Sequence, residues 1–142
     1  MNRKRLLTLV LSGAMALMAG APALAQDSML MSIPFAFNVG TKSLPAGDYD
    51  VRQLAANTVV LQNASTRDAA FAITMTAPPE EISAPAVLVF NQYGDSYFLS
   101  EIKTQDSLQR IKISKLERHV AAETQESAEN ESEGRIVYVA AR

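Results

Sequence analysis

The chain has 142 residues with no cysteine, no tryptophan and one histidine, and it carries 13 Lys and Arg against 15 Asp and Glu. Without cysteine there are no disulfides, no thiol catalysis and no thiolate metal sites, and a single histidine cannot supply an ordinary zinc ligand set. An acidic balance also argues against nucleic acid as a partner, because phosphate binding relies on clustered Lys and Arg.

Residues 1–25 read as an export signal rather than as structure. Asn2-Arg3-Lys4-Arg5 is a basic start, Leu6 to Met18 is an apolar run, and Ala23-Leu24-Ala25 places small residues where a signal peptidase cleaves, before Gln26. The run is shorter than the ~20 residues a spanning helix needs. The expectation is a protein exported to the bacterial periplasm or medium, with no transmembrane segment in the mature chain and one domain over residues 26–142. Losing Arg3, Lys4 and Arg5 leaves ten basic against fifteen acidic side chains, a mature charge of −5.

From Met29 to Val39 every second residue is apolar (Met29, Met31, Ile33, Phe35, Phe37, Val39), which predicts one amphipathic strand. Pro34 lacks a backbone donor, so an edge position or a bulge is expected. That edge is the segment through which self-association or a protein partner would act. Leu44-Pro45-Ala46-Gly47-Asp48 has the residues of a β-turn leading into a strand over Tyr49 to Leu54, with Tyr49 and Val51 inward. Thr58 to Gln62 is a β-branched strand, and Asn63 to Asp68 a polar loop.

Ala69 to Thr76 predicts another strand with two unequal faces. Ala69, Phe71, Ile73 and Met75 share one, and Ala70, Ala72, Thr74 and Thr76 the other. The small face either admits a second layer at close range or faces water; alternation alone leaves both open. Ala77 to Pro85 holds three prolines and reads as an extended connection.

Ala86 to Ile102 is the strongest local signal, a β-hairpin reversing at Tyr93-Gly94-Asp95, with Leu88 and Phe90 on one face and Val87 and Val89 on the other. In its second arm Phe98 and Ser100 alternate against Tyr97, Leu99 and Glu101. Leu108 to Ile113 forms a short strand. Ser114-x-x-Glu117 has capping-box form and opens a helix over about 114–122 with Leu116 and Val120 as its buried stripe. Residues 123–134, rich in glutamate, read as a flexible acidic linker before a last strand over 135–140. The count is seven or eight strands and one helix. The expected fold is therefore all-β and mainly antiparallel, a single-domain β-sandwich or small barrel.

Chemistry-bearing patterns are few. His119 beside Arg118 reads as a solvated helix residue, and no serine lies in a nucleophile-elbow context. Asp48, Asp50, Asp95 and Glu101 lie at strand ends or turns, where a carboxylate pair would be needed for glycoside hydrolysis, but turn formation and solubility account for them. No metal or cofactor site is expected. The candidate binding surface is the hairpin tip with its neighbours, Tyr93, Asp95, Tyr97 and Glu101.

Two blocks, Ile33-Pro34-Phe35-x-Phe37-x-Val39-Gly40-x-x-x-Leu44-Pro45-Ala46-Gly47-x-Tyr49-x-Val51 and Val89-Phe90-x-x-Tyr93-Gly94-x-x-Tyr97-Phe98-Leu99-Ser100-Glu101, with Ser114-x-x-Glu117-Arg118 beyond them, resemble a family of short signal-peptide-bearing bacterial proteins of unknown function. The resemblance implies an exported all-β domain and transfers no active site. The reading is a non-catalytic exported domain that binds, or forms part of the cell envelope. The alternative is a carrier whose barrel interior, lined by Phe35, Phe37, Tyr49 and Phe98, holds an apolar molecule, and a carboxylate-dependent hydrolase comes third.

Overall fold

The structure, a computed structural model, describes residues 28–127 and 134–141; the expected export signal and residues 128–133 of the expected linker lie outside them. Ten strands and one helix follow in chain order: β1 (Ser28–Ile33), β2 (Phe37–Val39), β3 (Lys42–Leu44), β4 (Gly47–Ala55), β5 (Thr58–Asn63), β6 (Ala69–Ala77), β7 (Ala86–Tyr93), β8 (Ser96–Thr104), β9 (Leu108–Ile111), α1 (Lys115–Ser127) and β10 (Arg135–Ala140). The domain is all-β with one helix, as the sequence predicts, but with ten strands rather than seven or eight.

The two extra strands come from one proline and one glycine. The expected single strand over Met29 to Val39 breaks at Pro34 to Ala36, so β1 pairs antiparallel with β4 while β2 pairs antiparallel with β3 and parallel with β8 through Asn38 and Phe98. Gly40, at φ 62°, makes the reversal between β2 and β3 that lets Lys42 to Leu44 form a strand of their own. The expected edge segment is thus split, and its second half is interior to the sheet.

Hydrogen bonding runs β1-β4-β5-β6-β9-β8-β2-β3, and β7 and β10 extend the sheet from the other side of β8. Strand β6 changes partner along its length, with residues up to Ile73 on β5 and Thr74 to Ala77 on β9. That handover bends the sheet round its interior. As a result β1 lies against β10 with no ladder between them among the described residues.

The interior is filled by the sheet's own side chains. Met31, Ile33, Tyr49, Val51, Leu61, Leu88 and Phe90 are at most 1% exposed. Phe35, Phe90, Phe37 and Tyr49 form a chain of edge-to-face rings with centroids 5.1 to 5.4 Å apart, each such contact adding about 0.5–1.5 kcal/mol beyond burial. The Tyr49 hydroxyl, otherwise stranded in the core, donates to the Pro45 carbonyl at 2.6 Å. Of the residues expected to line a ligand-holding interior, Phe35, Phe37 and Tyr49 occupy that space themselves, and Phe98 lies outside the cluster, its ring 6.1 Å from Tyr93.

The central hairpin forms as expected, with Gly94 at φ 57° in the turn. Its second arm departs from strict alternation. Val89 faces Glu101 and Phe90 faces Leu99, so Ser100 is an extra residue in β8, and its Oγ donates to the Val89 carbonyl at 3.0 Å. This bulge lets Leu99 and Ile102 both enter the core while Glu101 stays outside; alternation had placed Leu99 and Glu101 together.

The helix starts where the capping pattern predicts, with the Glu117 amide donating to Ser114 Oγ at 3.0 Å. It continues to Ser127, past the expected end, so the first part of the expected linker is helical. Its buried residue also differs. Leu116 is 36% exposed, whereas Glu117 is 4% exposed, because the Glu117 carboxylate reaches across to β7 instead of back to the cap.

Candidate binding surfaces

The four sequence-derived candidates occupy four different environments. Asp95 is exposed in the β7–β8 turn. Tyr97 stacks on Phe35 at 4.0 Å and 16°, closing one end of the aromatic chain. Tyr93 lies under α1 and covers Gly134, where a Cβ would come within 2.9 Å of its ring. Its hydroxyl, with Asn91 Nδ2, points at Glu117 Oε1 at 3.5 and 2.8 Å respectively. Burial first, and then the Glu117 carboxylate, push the Tyr93 hydroxyl above its ordinary value.

Glu101 belongs to a charged belt on the outer sheet face. It accepts from Arg110 Nε at 3.0 Å and lies 3.4 Å from Lys103, and Glu80 reaches back from the proline-rich connection to Lys103 at 2.6 Å and Arg110 at 3.9 Å. The Lys103 contact, more than any other, draws the Glu80 carboxyl below its ordinary value, and Glu80 in turn raises Lys103. Two cations and two anions close on one another, leaving the belt locally neutral. Asp50 is likewise paired, 3.3 Å from Arg52. Asp48 and Asp50 share β4, whereas Asp95 lies in the β7–β8 turn and Glu101 on β8. Among the described residues no group of three or more His, Cys, Asp and Glu is placed to hold a metal, and no helix is long and apolar enough to cross a membrane. His119 is exposed, 3.3 Å from Glu123.

Sequence reasoning left open the surface that stands out most. On β6 it is the small face, Ala70, Ala72 and Thr74, that is buried at 2–3% exposure, while Phe71, Ile73 and Met75 point to solvent at 65%, 73% and 61%. The reason is room. Short strands β2 and β3 lie close behind β6, where its small inward side chains permit the approach. Thr74, buried with them, donates its hydroxyl to Gln109 Oε1 at 3.1 Å. Along the lateral row Met75, Arg110, Glu101, Val89 and Tyr138, the charged belt separates the β6 stripe from Ile136 and Tyr138 on β10, themselves 55% and 62% exposed.

A second feature had no sequence signal. Where β4 and β5 face the β8–β9 turn, a cleft of about 370 Å³ opens between Met29, Val51 and Val59 on one side and Ile102 and Ser107 on the other. It is spanned by a bond from Gln109 Nε2 to Gln53 Oε1 at 3.1 Å. These residues come from five elements, and only their pairing register brings them together.

Comparison with family models, with curated proteins and with solved structures returns no match.

Proposed function

We propose that this is an exported, non-catalytic domain of the bacterial cell envelope that works by association, with the outer face of β6 as its contact surface and a second copy of the chain as its partner. Export rests on the signal-like residues 1–25, and the resemblance to short exported bacterial proteins points the same way. The curled sheet is read as a barrel not fully closed between β1 and β10.

The observation that carries the reading is the orientation of β6. Three large apolar side chains in a row face water while alanines fill the core behind them. Contiguous exposed apolar surface marks contact sites, whereas single exposed apolar residues do not. A second copy fits for an electrostatic reason: the charges bordering the stripe are paired with each other, so two stripes meet across a two-fold axis without placing like charges together. At longer range the mature charge of −5 opposes the approach, so added salt strengthens association.

Analytical ultracentrifugation of residues 26–142 tests this. The expected result is a dimer that tightens with salt and becomes monomeric in a Phe71→Ser, Ile73→Thr variant whose melting temperature matches the parent's at concentrations where the parent is itself monomeric. A chain that stays monomeric up to about 1 mM, where an association of only about −4 kcal/mol would register, overturns the proposal, as does a dimer indifferent to that variant.

A further inference from the structure

We infer that the cleft between β4, β5 and the β8–β9 turn is a binding site for a small amphiphile with an apolar body and a neutral or cationic head. At about 370 Å³ it falls within the range of small-molecule sites, ~300–1,000 Å³, though near its lower end. Its floor is Met29, Val51, Val59 and Ile102, and the last three are at most 3% exposed and belong to the core. A ligand entering here lies on the core itself.

The polar groups of the wall are already committed. Gln109 accepts from Thr74 and donates to Gln53, and Gln53 Nε2 donates to the Ala55 carbonyl at 3.1 Å. Thr104 Oγ1 and Ser107 Oγ are 2.9 Å apart, and the Ser107 amide donates to Thr104 Oγ1 at 3.1 Å. Self-satisfied walls do not draw a polar molecule into the cleft, so the attraction comes from apolar contact, chiefly with the half-buried Met29 at the rim over the core residues beneath it.

The head group is selected at the lip. Asp106 lines the mouth and is exposed, and on the far side of the same turn a shallower depression is lined by Glu80, Glu81 and Gln105. Among the described residues no Lys or Arg lines either one. The nearby Lys103 is held between Glu80 and Glu101. A carboxylate head at the lip meets only like charge, and an ammonium meets Asp106.

Titration calorimetry with octylamine, octanol and octanoate at pH 7, with amide NMR shifts to locate the bound molecule, tests this on residues 26–142. The expected order is octylamine, then octanol, then octanoate, with at least about tenfold between the extremes, equivalent to about 1.4 kcal/mol. Shifts should concentrate at Val51, Val59, Ile102 and Ser107. Asp106→Asn should cut the amine-to-carboxylate ratio to about twofold, while Asp95→Asn, at the opposite end of β8, leaves it unchanged. Met29→Trp, which fills the cleft from the rim, should abolish all three. Octanoate binding as tightly as octylamine overturns the head-group assignment. Absence of binding by all three, or shifts located elsewhere, overturns the site. Because the cleft and the β6 stripe share no residue, neither result bears on dimerisation.

Discussion

The outer surface of the sheet has two halves that solve the same problem differently. Over β7 and β8, helix α1 and Tyr93 form a roof, and beneath it Phe98 is 2% exposed and Glu117 4%. Over β6 there is no roof among the described residues, and Phe71, Ile73 and Met75 lie open. The roofed half buries a carboxylate, which is costly without hydrogen-bond partners; Asn91 Nδ2 and the Tyr93 hydroxyl both donate to its Oε1. The open half keeps apolar surface in water, which costs solubility. The carboxylate is held between two elements, α1 and β7, and so belongs to the fold, whereas the apolar side chains of β6 face solvent.

The sharpest way to break this comparison is to truncate one phenylalanine from each side of the sheet. Phe90→Ala, at a fully buried position in the middle of the aromatic chain, should cost about 3–5 kcal/mol. Phe71→Ala should stay within about 0.5 kcal/mol, and chemical denaturation with an unchanged m-value checks both. A loss above 2 kcal/mol at Phe71 would show that β6's outer face is structural. Next in size, Ala72→Leu tests whether the inner face of β6 is small because space is short. Overpacking should cost about 1–3 kcal/mol, and a neutral result would mean that the interior has slack.

Under the roof, Glu117→Ala leaves Asn91 with its partner removed and should destabilise by about 1–3 kcal/mol, whereas Leu116→Ala, one residue earlier on the exposed side, should fall within about 0.5 kcal/mol. The smallest effect is in alkali. The folded chain raises Tyr93 above its ordinary value of 10.0, so near and above that pH the native state holds a proton that the unfolded chain releases. The stability from neutral Tyr93 is therefore fully present below about pH 10 and is lost as pH rises through the folded value. Tyr93→Phe should flatten that part of the pH profile, and Tyr49, raised mainly by burial, and Lys103, raised mainly by Glu80, contribute to what remains.

Much of this was legible from local chemistry. The hairpin turn at Gly94, the inward Tyr49 and Val51, and the Ser114 cap each depend on residues within a few positions of one another. What could not be read depended on distant neighbours. Alternation at β6 gave two faces but not which one looked inward, because that is decided by β2 and β3, which lie behind it from far along the chain. The Ser100 bulge interrupts a pattern that both flanking arms otherwise satisfy. Glu117 reads as a cap partner for Ser114 until Asn91, twenty-six residues earlier, becomes its neighbour. The cleft has no motif, since it is a gap between strand ends rather than a run of residues. Of the candidate surface, the individual aromatic positions were found, but Tyr93 and Tyr97 are both occupied with packing.

The pairing of β10 with β7 also sets an order of events. β7 finds β8 across a two-residue turn, and β9 follows directly, so three neighbouring strands assemble from one short stretch of chain. The other edge of β7 must wait until α1 has passed and residues 135–140 are available. During that interval it is an unsatisfied ladder with Leu88 and Phe90 beside it, open to any extended segment nearby. A nascent chain is at its most adhesive then, and β10 acts as a seal that ends the hazard.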